Sequence, residues 1–348
     1  RWNHQYQLLA ETDPLGNTTR FEWDRYDRLL ARTDACGRTT RYAYDQVGAP
    51  TTVLRPDGHR ETAQNDEWGR PVEVVQADGH VWRMEYDEHG NLVAETDPTG
   101  ARISYRYRDD GALIEVTDAD GGTAFLEADA AGLPVASTDA EGGTTRLVRD
   151  AFGRVVEQWG PDGAVTRLSW TPEGRQLSVE LPDGTTERRA YDGEGNLTEH
   201  VDGSGRVTRF DYGAFDLLRS RTDADGSRVE FSYDRQLRVI SVTNQQGAVW
   251  KYTYDEAGRL VRECDYSGRA QSYRFDPVGR LVGQTNGAGQ SIAYVRDDLG
   301  KVTEQRAPEG VTRFEYDPVG QVRSVFGPGA ELSYQRDARG RVVAETCN

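Results

Sequence analysis

The sequence predicts an all-β fold: antiparallel β-hairpin repeats of about 21 residues, joined into one long coiled single-layer sheet. Three observations carry this. Glycine falls on every twenty-first residue from Gly16 to Gly310 without a miss. A second glycine register precedes the first by ten residues over much of the chain. Between the two registers, apolar and polar residues alternate with period two. A fixed short period means one supersecondary unit copied along the chain, so fold and function belong to the array.

The first register comprises Gly16, Gly37, Gly58, Gly79, Gly100, Gly121, Gly142, Gly163, Gly184, Gly205, Gly226, Gly247, Gly268, Gly289 and Gly310. The second runs from Gly48 and Gly69 through Gly195, then Gly258, Gly279 and Gly300, with Asp216 and Leu237 in the same slot of the two weakest copies. After Gly310, Gly320 and Gly340 continue the series with one residue lost per unit. About 17 copies fill residues 1–348. An array that starts and stops near repeat boundaries, without an initiator Met, is expected to be part of a longer polypeptide.

Both registers read as tight turns. An acid commonly stands three residues before the glycine, as in Asp255 before Gly258, Asp276 before Gly279 and Asp265 before Gly268. Asp first, Pro second and Gly fourth is the signature of a type I turn followed by a left-handed residue, which closes a hairpin. The chain is therefore expected to reverse twice per repeat. The intervening runs have strand length. In Val249–Tyr254, Trp250, Tyr252 and Tyr254 alternate and share a face; Tyr273 and Phe275 do so one repeat later. No segment shows helical period, so almost no helix is expected.

About 34 strands at ~4.8 Å spacing would make a flat ribbon ~160 Å wide, and sheets of more than ~10 strands curl or split. Only 36% of the residues are hydrophobic, too few for a sandwich filled with side chains. A single curved layer around a space it does not fill fits better. A parallel β-helix would need an unbroken apolar stack, yet the aromatic slot carries Asn65, Ala128, Arg149, Arg296 and Arg336. Leucine-rich repeats would need a Leu/Asn spacing that is missing.

The unit Tyr254-Asp255-Glu256-Ala257-Gly258-Arg259-Leu260, with Asp265-Tyr266-Ser267-Gly268 downstream, resembles the Rhs/YD repeat. So do Phe275–Leu281 and Tyr191–Leu197, and the likeness covers the whole chain. Thr171, Gly213 and Arg108 replace the turn Asp locally. The resemblance implies a segment of a hollow shell that, in bacterial polymorphic toxins and toxin-complex subunits, encloses a C-terminal toxin. It further implies the remaining repeats of the same shell, the toxin cargo and secretion-machine components as partners, with secretion or delivery by a bacterial secretion system. Animal relatives in cell adhesion supply a second reading, an extracellular adhesion or carbohydrate-binding array.

A formal charge of −16 argues against nucleic acid, whose phosphates need a basic surface. No stretch approaches the ~20 apolar residues of a membrane-spanning helix. Among 42 basic residues only Lys251 and Lys301 are lysines. Bidentate Arg–Asp ladders between repeats, or a GC-rich genome, would each produce that bias. Cys36, Cys264 and Cys347 lie in distant repeats without metal-ligand spacing and are expected to be free thiols.

Several residues tempt a chemical reading. His59 and His80 occupy equivalent positions one repeat apart, ~9.6 Å across two strands, too far to share a zinc ion. Asp118 with Asp120, and Asp223 with Asp225, lack the further ligands of a calcium loop. Asp13-Pro14, Asp97-Pro98, Asp276-Pro277 and Asp317-Pro318 share the Asp-Pro element found at the self-cleaving end of Rhs shells, but stand in register as turns. No nucleophile elbow, zinc-protease motif or P-loop occurs. The sequence therefore predicts no catalytic, cofactor or metal site; steric enclosure is the mechanism that the resemblance to Rhs shells implies.

Overall fold

The computed structural model describes all 348 residues. Thirty-three strands form one unclosed antiparallel sheet, and the only helical element is a 3-10 turn at Ala214–Asp216. Strands adjacent in sequence pair with each other, as Leu260–Cys264 pairs with Ala270–Phe275, which in turn pairs with Leu281–Thr285.

The 21-residue period has a simple origin. A five-residue strand (Leu260–Cys264), the five-residue turn 265–269, a six-residue strand (Ala270–Phe275) and the five-residue turn 276–280 complete one unit. The two hairpins of a unit are not equivalent. At the first-register turn the ladder runs without interruption from Arg262↔Ser272 to Cys264↔Ala270. Beyond the second-register turn, Arg274 faces Gly283 while Phe275 faces Leu281, so Val282 is one residue extra. The same bulge recurs from Glu22/Trp23 to Gln335/Arg336. A bulge at the same place in each unit adds local twist and bends each returning strand alike.

Toward the C terminus the first-register hairpins shorten. Ala307 pairs with Gly310, leaving only Pro308 and Glu309 as the turn, and Phe326 pairs with Glu331 across four residues. That accounts for the 20-residue spacing of Gly300, Gly320 and Gly340. The sequence placed Gly310 in the common five-residue turn. It instead opens the strand Gly310–Tyr316, at φ +142°.

Almost nothing is fully buried. The exceptions are small: Ala31, Ala94, Ala136, Ser220, Ser324, Gly283 and Gly300. All but Gly300 stand third in a five-residue strand; Ala31 lies between Glu22 and Arg41, and Ala136 between Glu127 and Arg146. At Gly283 the Arg274 guanidinium covers the place where a Cβ would stand. The other face carries the aromatic rows, with Tyr252, Tyr254, Tyr273 and Phe275 half-buried.

The chain divides into two compact units. One comprises residues 1–85, 95–102 and 252–348; the other comprises 86–94 and 103–251. Within residues 103–251 the second unit is a succession of hairpins. The first brings early and late repeats together, as detailed below.

Candidate functional site

What recurs in every unit is a polar clamp that locks the turn. In the turn after Tyr254, Gly258 N–H donates to Asp255 C=O (3.0 Å) and Asp255 N–H donates to Arg259 C=O (2.9 Å). The Asp255 carboxylate accepts the Arg259 backbone N–H on Oδ1 (2.9 Å) and the Arg259 Nε–H on Oδ2 (2.7 Å). Burial pushes the Asp255 carboxyl up, but the backbone N–H and guanidinium of Arg259 outweigh it and hold it below its ordinary value of 3.8. At Asp265 the backbone N–H of Arg269, ahead of its guanidinium, has the same net effect. Asp276 is bound likewise by Val278, Gly279 and Arg280.

Glycine is needed at the fourth place of the turn because the exit residue is left-handed. The first-register glycines from Gly16 to Gly289 lie between φ +78° and +88°; Gly258 is at +82° and Gly279 at +85°. Where glycine is missing the conformation persists: Asp216 is at +55° and Leu237 at +63°. Tyr6 and Asp27 extend the second register two repeats further toward the N terminus, each at φ +62°. The sequence gives no glycine there to mark them.

Turns that lack the leading Asp show how the carboxylate is replaced. At Arg108 the acid has moved to Asp110, which accepts the Ala112 N–H (3.2 Å) and is held down to about 2 by the Arg108 side chain. At Thr171 the hydroxyl accepts the Arg175 N–H (3.2 Å). Gly213 has no side chain to offer, and there the chain tightens into the 3-10 turn with Phe215 and Asp216 both left-handed.

A second recurring feature is the sixth residue of each long strand. The Tyr44 hydroxyl donates to Leu29 C=O (2.9 Å), fifteen residues earlier, and Tyr107, Tyr191, Tyr212 and Tyr233 repeat the bond at 2.8 to 3.0 Å. The ladder between Leu29–Thr33 and Thr39–Tyr44 ends at Ala31↔Arg41, so Leu29 C=O receives the hydroxyl in place of a backbone N–H. Trp23 and Trp170 do the same with the indole N–H. So do Asn65, Arg149 and Arg296, three residues that interrupt the aromatic row in the sequence. The slot selects a hydrogen-bond donor of sufficient reach, and an unpaired carbonyl at this depth would be costly.

Of the named aromatics, Tyr273 donates to Glu263 Oε1 (2.5 Å), and burial followed by that carboxylate pushes its hydroxyl up to about 12. Phe275 lies under the Arg259 guanidinium, 5.3 Å from the ring centre. Tyr252 is pushed up by burial. Tyr254 stands in the donor slot.

The tempting residues are absorbed locally. His59 Nδ1 lies 3.1 Å from Asp57 Oδ2, and His80 Nδ1 2.9 Å from Asp78 Oδ2, each within its own turn. Asp118 accepts the N–H groups of Asp120 and Gly122. Asp223 pairs with Arg221, and Asp225 accepts the Ser227 N–H. No group of three His, Cys, Asp or Glu side chains could hold a metal ion. Asp13, Asp97 and Asp317 each hold their turn's backbone. Cys36, Cys264 and Cys347 are unpaired thiols, and no helix is long and apolar enough to cross a membrane.

The arginines form three kinds of contact. Within turns they clamp Asp, and across strands they pair with Glu, as in Arg83–Glu73 (3.1 Å) and Arg209–Glu199 (3.1 Å). The third kind joins repeats far apart in sequence, all within the first unit. Arg38 reaches Asp276 Oδ2 (3.6 Å) and Asp297 C=O (3.0 Å), while Arg280 lies 3.8 Å from Asp34. Arg55 donates to Pro318 C=O, and Arg339 pairs with Asp97 and Thr99. First-register turns of the early repeats thus meet second-register turns of the late ones along an arginine-filled seam.

The RHS Repeat family pattern matches residues 4–35, 66–102, 86–123, 128–158, 149–186 and 191–228, over half the chain. The Teneurin YD-shell pattern matches residues 219–347. No curated protein matches the chain by sequence. Among solved structures, the TcdB2-TccC3 crystal structure superposes with a TM-score of 0.73 at 15% identity, over 98% of this chain and 25% of that one. The complex of TcdB2-TccC3 with Cdc42 gives 0.71 at 15% identity, over 96% and 24%. The Tc holotoxin pore of Photorhabdus luminescens gives 0.55 at 16% identity, over 98% and 26%. The likeness is one of fold, and the chain spans about a quarter of the length of each.

Proposed function

We propose that this chain, which belongs to the RHS-repeat family, is a length of shell wall that encloses and shields a toxin domain before delivery. It works together with further repeats of the same shell, and the complete particle is exported or delivered by a bacterial secretion machine. Its mechanism is steric. The observation that carries the reading is where the polar chemistry is spent: turn carboxylates go to their own turn amides and arginines, and slot donors go to backbone carbonyls. The clamped groups hold a sheet in place and leave no nucleophile poised beside a base. Residues 1–348 act as one continuous array in this role.

Proteolysis of the complete gene product tests the idea. The enclosed domain should resist protease until the sheet is unfolded by denaturant, and the same domain expressed alone should be cut under native conditions. Equal cleavage rates in the two settings would reject enclosure.

A further inference from the structure

The seam of the first unit is held differently from the hairpins it joins. Within a hairpin, a backbone ladder links neighbouring strands. Each turn is also locked by its own carboxylate, at 2.7 to 2.9 Å for Asp255 and Asp265. Across the seam turns meet turns, and the bonds come from arginine side chains. Breaking them parts no ladder.

The joint is also loose. Arg38 faces Asp276 at 3.6 Å and Arg280 faces Asp34 at 3.8 Å, beyond hydrogen-bond reach. Arg280 Nη2 and Arg55 Nε are shut off from solvent with no hydrogen-bond partner, a costly state for a donor. At the turn Gln76–His80 a cleft of about 510 Å³ separates the early rim from the late turns beginning at Asp317 and Asp337. A smaller hollow of about 320 Å³ lies between the Asp13 turn and the late turns beginning at Asp255 and Asp276. Atoms lining such gaps lose their dispersion partners. The good bonds, Arg38 to Asp297 C=O (3.0 Å) and Arg55 to Pro318 C=O, are therefore isolated points of attachment. They are also points of leverage. Without Arg38, the half-buried carboxylates of Asp34 and Asp276 lose the cation that lies near both.

We propose that the seam is a latch: the early turns at Asp34, Arg55 and Asp97 release the late turns at Asp276, Asp297, Asp317 and Asp337 while the hairpins on both sides stay folded. The polar bonds set how firmly it closes, and the clefts set how little else resists. The latch goes beyond the enclosing role proposed above, because it belongs to the array itself and holds whether or not a toxin lies inside. In an enclosing wall it is the place where the wall parts first.

Energy transfer between two dyes reads the seam. One dye goes on Cys36 in the Asp34 turn, the other on a cysteine placed in the Asp297 turn by Asp298→Cys, both exposed positions. Cys264→Ser and Cys347→Ser remove the other thiols. The purified chain is titrated with urea, and strand ellipticity is followed on the same samples. Transfer should be lost at lower urea than ellipticity, a separation that one cooperative transition does not show. Arg38→Gln combined with Arg55→Gln should raise the open fraction about tenfold or more before the ellipticity transition, and leave the ellipticity midpoint in place. Arg269→Gln, which loses a turn clamp away from the seam, should leave the transfer curve where it was. Should the double variant fail to fold, Arg55→Gln alone carries the test. Coincident loss of transfer and ellipticity in the parent chain, or a transfer curve that the arginine changes do not move, would overturn the proposal.

Discussion

Gly268→Ala isolates the energetic requirement of the repeated turn. Gly268 lies at φ +80°, and a Cβ built there meets no atom within 4 Å. Steric clash and changed burial therefore drop out, leaving two terms. Holding a non-glycine residue in the left-handed region costs about 1–2 kcal/mol. Removing a glycine from the unfolded chain returns about 0.4–1 kcal/mol. The net destabilisation is about 1 kcal/mol. Gly193→Ala is the matched control: that position also has open space, but its φ lies outside the left-handed region. It should gain the unfolded-state term alone and become slightly more stable. The two variants should thus differ by about 1–2 kcal/mol, or a factor of 5–30 in local opening. An array of repeats need not unfold in one step, so the readout should be local. Hydrogen exchange at the amide of position 268, which donates to Asp265 C=O at 2.9 Å, is compared with exchange of the position 195 amide in the Gly193 variant. Equal effects of the two substitutions on their own turns would refute the claim that backbone conformation fixes glycine at the fourth position.

Tyr233→Phe leaves Leu218 C=O without its donor and should cost about 0.5–1.5 kcal/mol in urea unfolding, whereas Phe275→Tyr adds a donor to the same slot and should stabilise. On the alkaline side, burial raises the hydroxyls of Tyr44, Tyr212, Tyr233 and Tyr316 above their ordinary 10.0, and Tyr273 reaches about 12. Their contribution is complete below pH 10 and lost as pH rises through the folded values, so a denaturation midpoint falling between pH 10 and 12 checks it. In acid the sign reverses. The depressed turn carboxylates stabilise fully above 3.8, and for Asp110 the loss runs from 3.8 down through about 2; Asp110→Asn should flatten exchange of the Ala112 amide over that range.

The fold was legible because the turns are specified locally. Asp255, Gly258 and Arg259 carry their own hydrogen-bond partners within five residues, and such a unit is visible to any reading of spacing. The donor slot was harder. Asn65, Arg149 and Arg296 break the aromatic row and look like gaps in an apolar stack, yet each donates to the same backbone position as tyrosine does. Their shared N–H groups were the available signal, and it is a signal of chemistry where hydropathy gives none. Tyr6 and Asp27 were missed because a left-handed residue other than glycine leaves no compositional trace. The seam and its cleft could not be read at all. Arg38 and Asp276 are 238 positions apart and meet only through the accumulated twist and bulging of the strands between them.

The preference for arginine over lysine follows from the same geometry. At the fifth turn position Arg259 does two things at once: Nε holds Asp255 Oδ2, and Nη1 donates to Asp276 C=O in the next turn along that edge, at 3.1 Å. Arg28 reaches Asp45 C=O and Arg154 reaches Thr171 C=O in the same way. At the seam, Arg280 holds Asp276 with Nε and faces Asp34 with Nη2. A guanidinium has a planar fork of donors that can serve a carboxylate and a carbonyl together, and an ammonium is a single charged point. Lys301 supplies the comparison within this chain. It stands at the fifth position of the Asp297 turn, and its ammonium reaches forward to Gly320 C=O, while Asp297 is bound through the Lys301 backbone N–H. The forward link survives and the side-chain clamp is lost. Genome composition would raise arginine everywhere without regard to place; it does not explain why arginine recurs where one side chain must tie a turn to itself and to its neighbour.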